Sequence, residues 1–221
     1  MRLLLRLSLV FAAALPLASS AFAVNVITIA DSTPGSTGSF NIATNRPLGV
    51  SWTQVRAFSN VTIEAAIGFP SFSGASTVRA YLTTQIGPGT TQGAHQVAAS
   101  SVLNVPVTTP NVPQPLFALF SGLSLGPGTY FLTVFAAPGP GSTGTSAWDG
   151  DVATVTSGVG STVNGSGFYA ANSVDGTYAP ASPFSLQAFG PGFLRVTGDL
   201  PLLFADGFAS GDSSAWSIVV P

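Results

Sequence analysis

Apolar residues along this chain recur at every second position, a period that predicts strands rather than helices. In 61–67, Val61, Ile63, Ala65 and Ile67 share one face, and Thr62 and Glu64 point the other way. Across 76–86 the inward face is predicted to be Val78, Ala80 and Leu82, with Arg79 and Thr83 outside. The stretch 128–136 sets Tyr130, Leu132, Val134 and Ala136 against Phe131, Thr133 and Phe135. A strand apolar on both faces belongs near the middle of a sheet. In 192–198, Leu194 and Val196 alternate with Arg195 and Thr197. Further strands are predicted at 24–29, 49–54, 96–107, 114–120, 152–156, 167–172 and 184–189.

Turn signals separate these segments: Gly87-Pro88-Gly89, Gly126-Pro127-Gly128, Asn164-Gly165, Asp175-Gly176 and Gly190-Pro191-Gly192. Gly128 is expected to use positive φ in its turn. The Gly-, Ser- and Thr-rich segment 139–166 is expected to be a long loop between two halves of the domain. No segment shows a capped helical repeat. Many short strands punctuated in this way predict an all-β fold, an antiparallel two-sheet β-sandwich of jelly-roll or immunoglobulin-like type.

The first residues break the pattern. Arg2 and Arg6 precede an apolar run that ends at Pro16 and Leu17, and Ala21-Phe22-Ala23 offers small residues where a signal peptidase reads. The run is short of the roughly 20 apolar residues a membrane span needs. Residues 1–23 are therefore expected to be a cleaved secretory signal, 24–199 the β-domain and 200–221 a separate tail. The chain has no cysteine, so neither a disulfide nor a thiolate metal site is available. A cysteine-free exported domain fits a bacterial source, secreted or held at the cell surface.

Composition narrows the partners. All six basic residues are arginine, and two of them lie in the leader. The four left, set against eight acids, cannot form the basic groove that nucleic acid requires. Disorder is excluded by 46% apolar residues and 16 Phe, since disordered chains are poor in both.

Candidate chemistry is sparse. A glycosidase-like pair of carboxylates would have to include Glu64, the only glutamate, set close to an aspartate. His95, the only histidine, lacks any nucleophile-elbow serine to serve and is read as a loop or strand-start residue. Asp149 and Asp151 stand two apart, so on an extended segment their carboxylates share a side and would suit a structural calcium ion. No other cofactor is indicated. Trp52, Trp148, Tyr169, Tyr178 and Phe184 lie in or beside polar stretches and are the candidates for stacking sugar rings.

The end of the chain carries Phe204, Asp206, Gly207, Phe208, Ser210, Gly211, Asp212, Ser214, Trp216 and Ser217. These resemble a tail of the form F-x-D-G-F-E-S-G-D-x-S-x-W-S found on unrelated exported bacterial proteins, with Ala209 in place of its glutamate. That resemblance implies sorting or surface retention. The elements Ser51-Trp52-Thr53-Gln54, 58–63, 81–89 and 119–130 resemble exported domains of PEP-CTERM-type proteins over roughly residues 40–198. No activity follows from that likeness. The leading expectation is an exported non-enzymatic surface, matrix or adhesion module. A lectin-like module binding an extracellular glycan or surface polymer is the alternative, and a hydrolase of extracellular polymer a remote one. No membrane span is expected once the leader is removed.

Overall fold

The two-residue period of the sequence becomes two antiparallel sheets. The computed structural model describes residues 23–31, 39–43, 46–68, 76–107, 114–137, 145–150, 153–158, 160–170, 178–186 and 192–200, with the backbone alone at some positions, Tyr169 among them. All of these belong to one compact unit.

The first sheet is built from β1 (Ala23–Asp31), β2 (Ser39–Ala43), β4 (Phe58–Gly68), β8 (Leu116–Leu125), β10 (Thr145–Asp149), β11 (Ala153–Ser157) and β14 (Leu194–Asp199). Its order is β11-β1-β14-β4-β10-β2, with β8 also on β4. The second is built from β3 (Leu48–Gln54), β5 (Thr77–Thr83), β6 (Gln96–Ala99), β7 (Leu103–Asn104), β9 (Gly128–Ala136), β12 (Ser161–Ala170) and β13 (Phe184–Leu186). Its order is β13-β12-β3-β9-β5-β6, with β7 also on β5. The architecture is the expected all-β, two-sheet one.

The strand phases follow the sequence pattern. On β9, Tyr130, Leu132, Val134 and Ala136 are buried. They meet Leu48, Val50 and Trp52 of β3 on one side and Val78, Ala80 and Leu82 of β5 on the other. Val61, Ile63, Ala65 and Ile67 of β4, with Leu194 and Val196 of β14, supply the other wall of the same core. Each such valine, leucine or isoleucine side chain contributes about 1.5–3 kcal/mol by leaving water. β9 lies between β3 and β5, in the interior position that its doubly apolar pattern predicts.

Several expectations are corrected. The segment 139–166 is not one long loop: besides β11, at the strand expected over 152–156, it contains β10 and the first half of β12. Asn164-Gly165 is no turn but belongs to β12, at a point where the register against β3 shifts. The strand expected at 96–107 is two short ones, β6 and β7, on the same edge of β5. β2 carries no clear sequence signal. Gly128 keeps a negative φ, and the left-handed residue near that turn is Gly122, at φ 71°. His95 ends a one-turn helix, Gln92–His95, directly before β6. Thr83, predicted to face outward, is fully buried.

Gln54 ties two of the turns together. At the end of β3 its Nε2 donates to the carbonyls of Arg56 (3.1 Å), Leu125 (3.3 Å) and Gly126 (3.0 Å), and its Oε1 accepts from Trp52 Nε1 at 3.1 Å. The Tyr130 hydroxyl donates to the same Gly126 carbonyl at 2.8 Å. The β8–β9 turn is thus held from inside the sandwich.

Candidate functional site

Two of the five aromatics singled out from sequence are core residues. Trp52 is inward on β3 and 0% exposed, its ring centroid 5.7 Å from that of Tyr130. Trp148 is 1% exposed and donates from Nε1 to the Phe193 carbonyl at 3.0 Å. A Cβ on Gly192 would lie only 2.6 Å from its indole, so that glycine makes room for the ring. Neither tryptophan offers a face to a ligand, because strand alternation turns each one inward among polar neighbours. For Tyr169 the description stops at the backbone, and Phe184 is half-buried.

Among the described residues the acids do not converge. The Asp149 carboxylate is 6% exposed, and its Oδ2 accepts from the Gln114 backbone N–H at 2.6 Å. Asp151 lies outside the described residues, as does the whole tail motif from Phe204 to Ser217. Among the described residues no group of three or more His, Cys, Asp or Glu side chains comes together as a metal site. Glu64 stands opposite Arg195, not beside an aspartate: Arg195 Nε donates to Glu64 Oε2 at 2.6 Å. That hydrogen bond holds the Arg195 pKa above its ordinary value. Asp199 Oδ2 accepts from Asn60 Nδ2 at 2.7 Å.

Tyr178 leads elsewhere, to the outer face of the second sheet. Its ring meets Tyr81 edge-on, with centroids 5.1 Å apart and planes at 66°. Tyr81 in turn stacks on Phe135, 5.7 Å away with planes 4° apart. Tyr81 and Phe135 are outward residues of β5 and β9, diagonal neighbours in the ladder that pairs Tyr81 with Thr133 and Arg79 with Phe135. Arg79, Tyr81, Thr133 and Phe135 therefore share one face.

A rim surrounds this platform. The Tyr178 hydroxyl donates to Gln96 Oε1 at 3.0 Å, and the Gly87 N–H donates to the Pro180 carbonyl at 2.7 Å. The 3₁₀ turn Ala179–Ala181 is thereby joined to the loop between β5 and β6. His95 closes that loop: its Nδ1 accepts from the Thr91 N–H at 3.0 Å, and its carbonyl accepts from the Thr84 N–H at 2.9 Å. Burial, with Tyr81 adding to it, pushes the Tyr178 phenol up to about 12.

The electrostatics of the two sheets differ. Asp31, Glu64, Asp149 and Asp199 all lie on strands of the first. The seven strands of the second contain a single charged residue, Arg79. Arg79 is half-buried, and its Nε has no hydrogen-bond partner. The Thr133 hydroxyl on the same face is likewise buried and unpartnered.

Sequence reading names Tyr178 and misses Tyr81 and Phe135. Both are recognisable as outward residues of strong strands, but a doubly apolar strand signals a central place as readily as a binding face. Among the described residues no helix is long and apolar enough to cross a membrane. No protein family, no curated protein and no solved structure matches this chain.

Proposed function

We propose that this chain is an exported, non-enzymatic β-sandwich module of the cell surface or extracellular matrix, and that it holds a glycan on the outer face of its second sheet. The observation that carries the reading is the half-buried pair Tyr81 and Phe135, parallel to within 4°, with Tyr178 edge-on beside it. Parallel aromatic faces ringed by hydroxyl and amide groups suit the apolar faces and hydroxyls of a sugar ring. A binding role without catalysis is favoured by the commitments of three described carboxylates: Glu64 is paired with Arg195, and Asp149 and Asp199 each accept from a neighbour. General acid–base work needs a carboxyl group free to exchange its proton with a substrate.

The leader expected at residues 1–23 would put this activity outside the cytoplasm, and the tail motif from Phe204 to Ser217 would keep the module at the surface. A glycan array probed with the exported protein tests the binding: signals are expected that Tyr81→Ala removes. An array with no signal above background sinks the glycan reading. Removing residues 202–221 is expected to move the protein from the cell-associated fraction to the medium, and an unchanged partition refutes retention by the tail.

A further inference from the structure

The second sheet holds its one charge in an unusual state. Arg195, 45% exposed, is paired with Glu64, whereas the more buried Arg79 has no ion pair among the described residues and its buried Nε has no hydrogen-bond partner. A guanidinium drawn out of water without a counter-charge is costly, and a chain normally pairs it or replaces it. No acid on any strand of this sheet is available to Arg79. Its position is also specific: it lies directly across from Phe135 and two residues before Tyr81, on their face.

We infer that Arg79 is the anion-recognising residue of the glycan platform, and that the ligand is an acidic polysaccharide whose uronic acid rings lie on Tyr81 and Phe135. The inference rests on the glycan reading above and adds the ligand's charge. Two residues along a strand span about 7 Å. A pyranose ring seated on the aromatic pair therefore brings the carboxylate on its C5 within reach of the guanidinium. The carboxylate supplies the missing counter-charge, and the planar fork of arginine matches it in a way lysine would not. The overall acidity of the chain does not oppose this, because its described carboxylates belong to the other sheet.

Affinity electrophoresis of the exported protein through native gels cast with polygalacturonate, alginate, dextran or poly-glutamate tests the assignment. Retardation by the two uronate polymers is expected at concentrations at least tenfold below those at which dextran acts. Arg79→Gln is expected to lose that tenfold preference while keeping its response to dextran, and Tyr81→Ala to lose both. Thermal unfolding separates a binding role from a structural one: Arg79→Gln should unfold at the same or a higher temperature, whereas an arginine that holds the fold would leave the variant less stable. Uronate binding that Arg79→Gln leaves unchanged overturns the inference. So does equal retardation by poly-glutamate that needs Arg79 but not Tyr81, which is simple ion exchange. Equal binding of dextran and uronates through Tyr81 overturns the acidic preference but leaves the glycan platform standing, and no binding to any polymer overturns both.

Discussion

A single buried amide shows how much of this fold rests on polar residues in the core. Gln54 is 1% exposed, meets three carbonyls through Nε2 and accepts from the Trp52 indole. Gln54→Ala strands the indole N–H and the carbonyls and leaves a cavity, and is expected to cost about 3 kcal/mol or more in urea unfolding. Gln54→Glu sets an acid among acceptors and raises its folded pKa above the ordinary carboxyl value of about 4. The variant should therefore approach its best stability at or below about pH 4 and lose stability as pH rises through the raised pKa. A variant equally stable at pH 4 and pH 7 would contradict these contacts. The same residues show why the tryptophans mislead: Ser51, Thr53 and Gln54 flank Trp52 and suggest solvent, yet Ser51 and Gln54 are themselves buried. Neighbours in sequence reveal composition. Only the phase of the strand reveals which side of the sheet a ring occupies.

Legibility at the scale of elements follows apolar content. β4, β5, β9 and β14 alternate strongly, and their inward apolar faces can be read directly from the sequence. β10 escapes that reading because Thr145–Asp149 is mostly small or polar, and its pairing with β2 is set by a distant partner. The crossing from the first sheet to the second at Gly158 is equally hidden. There the Gly158 N–H donates to the Val26 carbonyl at 2.8 Å, beside the register shift between Asn25 and Ile27. A Cβ on Gly158 would come within 1.8 Å of the Asn25 carbonyl oxygen, which is backbone and cannot swing aside. Gly122 poses the opposite case, with φ 71° and open space around it. Gly122→Ala is expected to cost about 1–2 kcal/mol from backbone strain alone. Gly158→Ala must push neighbouring strands apart and should cost about 3 kcal/mol or more, beyond ordinary overpacking. Chemical denaturation of the two variants side by side checks the order, and equal losses would mean that the backbone at the crossing yields easily.

Across the described strands, the acids lie on the first sheet and Arg79 is the one charge of the second, and alkaline titration is concentrated in very few groups. The chain has neither lysine nor cysteine, so above about pH 9 its four tyrosines are the side chains left to titrate before arginine. Burial raises the Tyr130 phenol, partly offset by its hydrogen bond to Gly126, and carries Tyr178 to about 12. An acid whose pKa is higher in the folded chain than in the unfolded one favours folding through its neutral form. That stability is complete below about pH 10, where the unfolded chain also holds its protons, and is lost as pH rises towards about 12. Urea unfolding measured at intervals from about pH 9 to about pH 12 should therefore show a flat region and then a decline beginning near pH 10. Tyr178→Phe removes the hydroxyl that donates to Gln96, so its plateau should sit lower, but its decline should be shallower because one titrating phenol is gone. An unchanged slope would mean Tyr178 is solvated and does not latch the rim of the platform. Tyr178 thus belongs both to the aromatic face and, with Tyr130, to the alkaline limit of the fold, and a loss of glycan binding that follows the same pH curve would connect them.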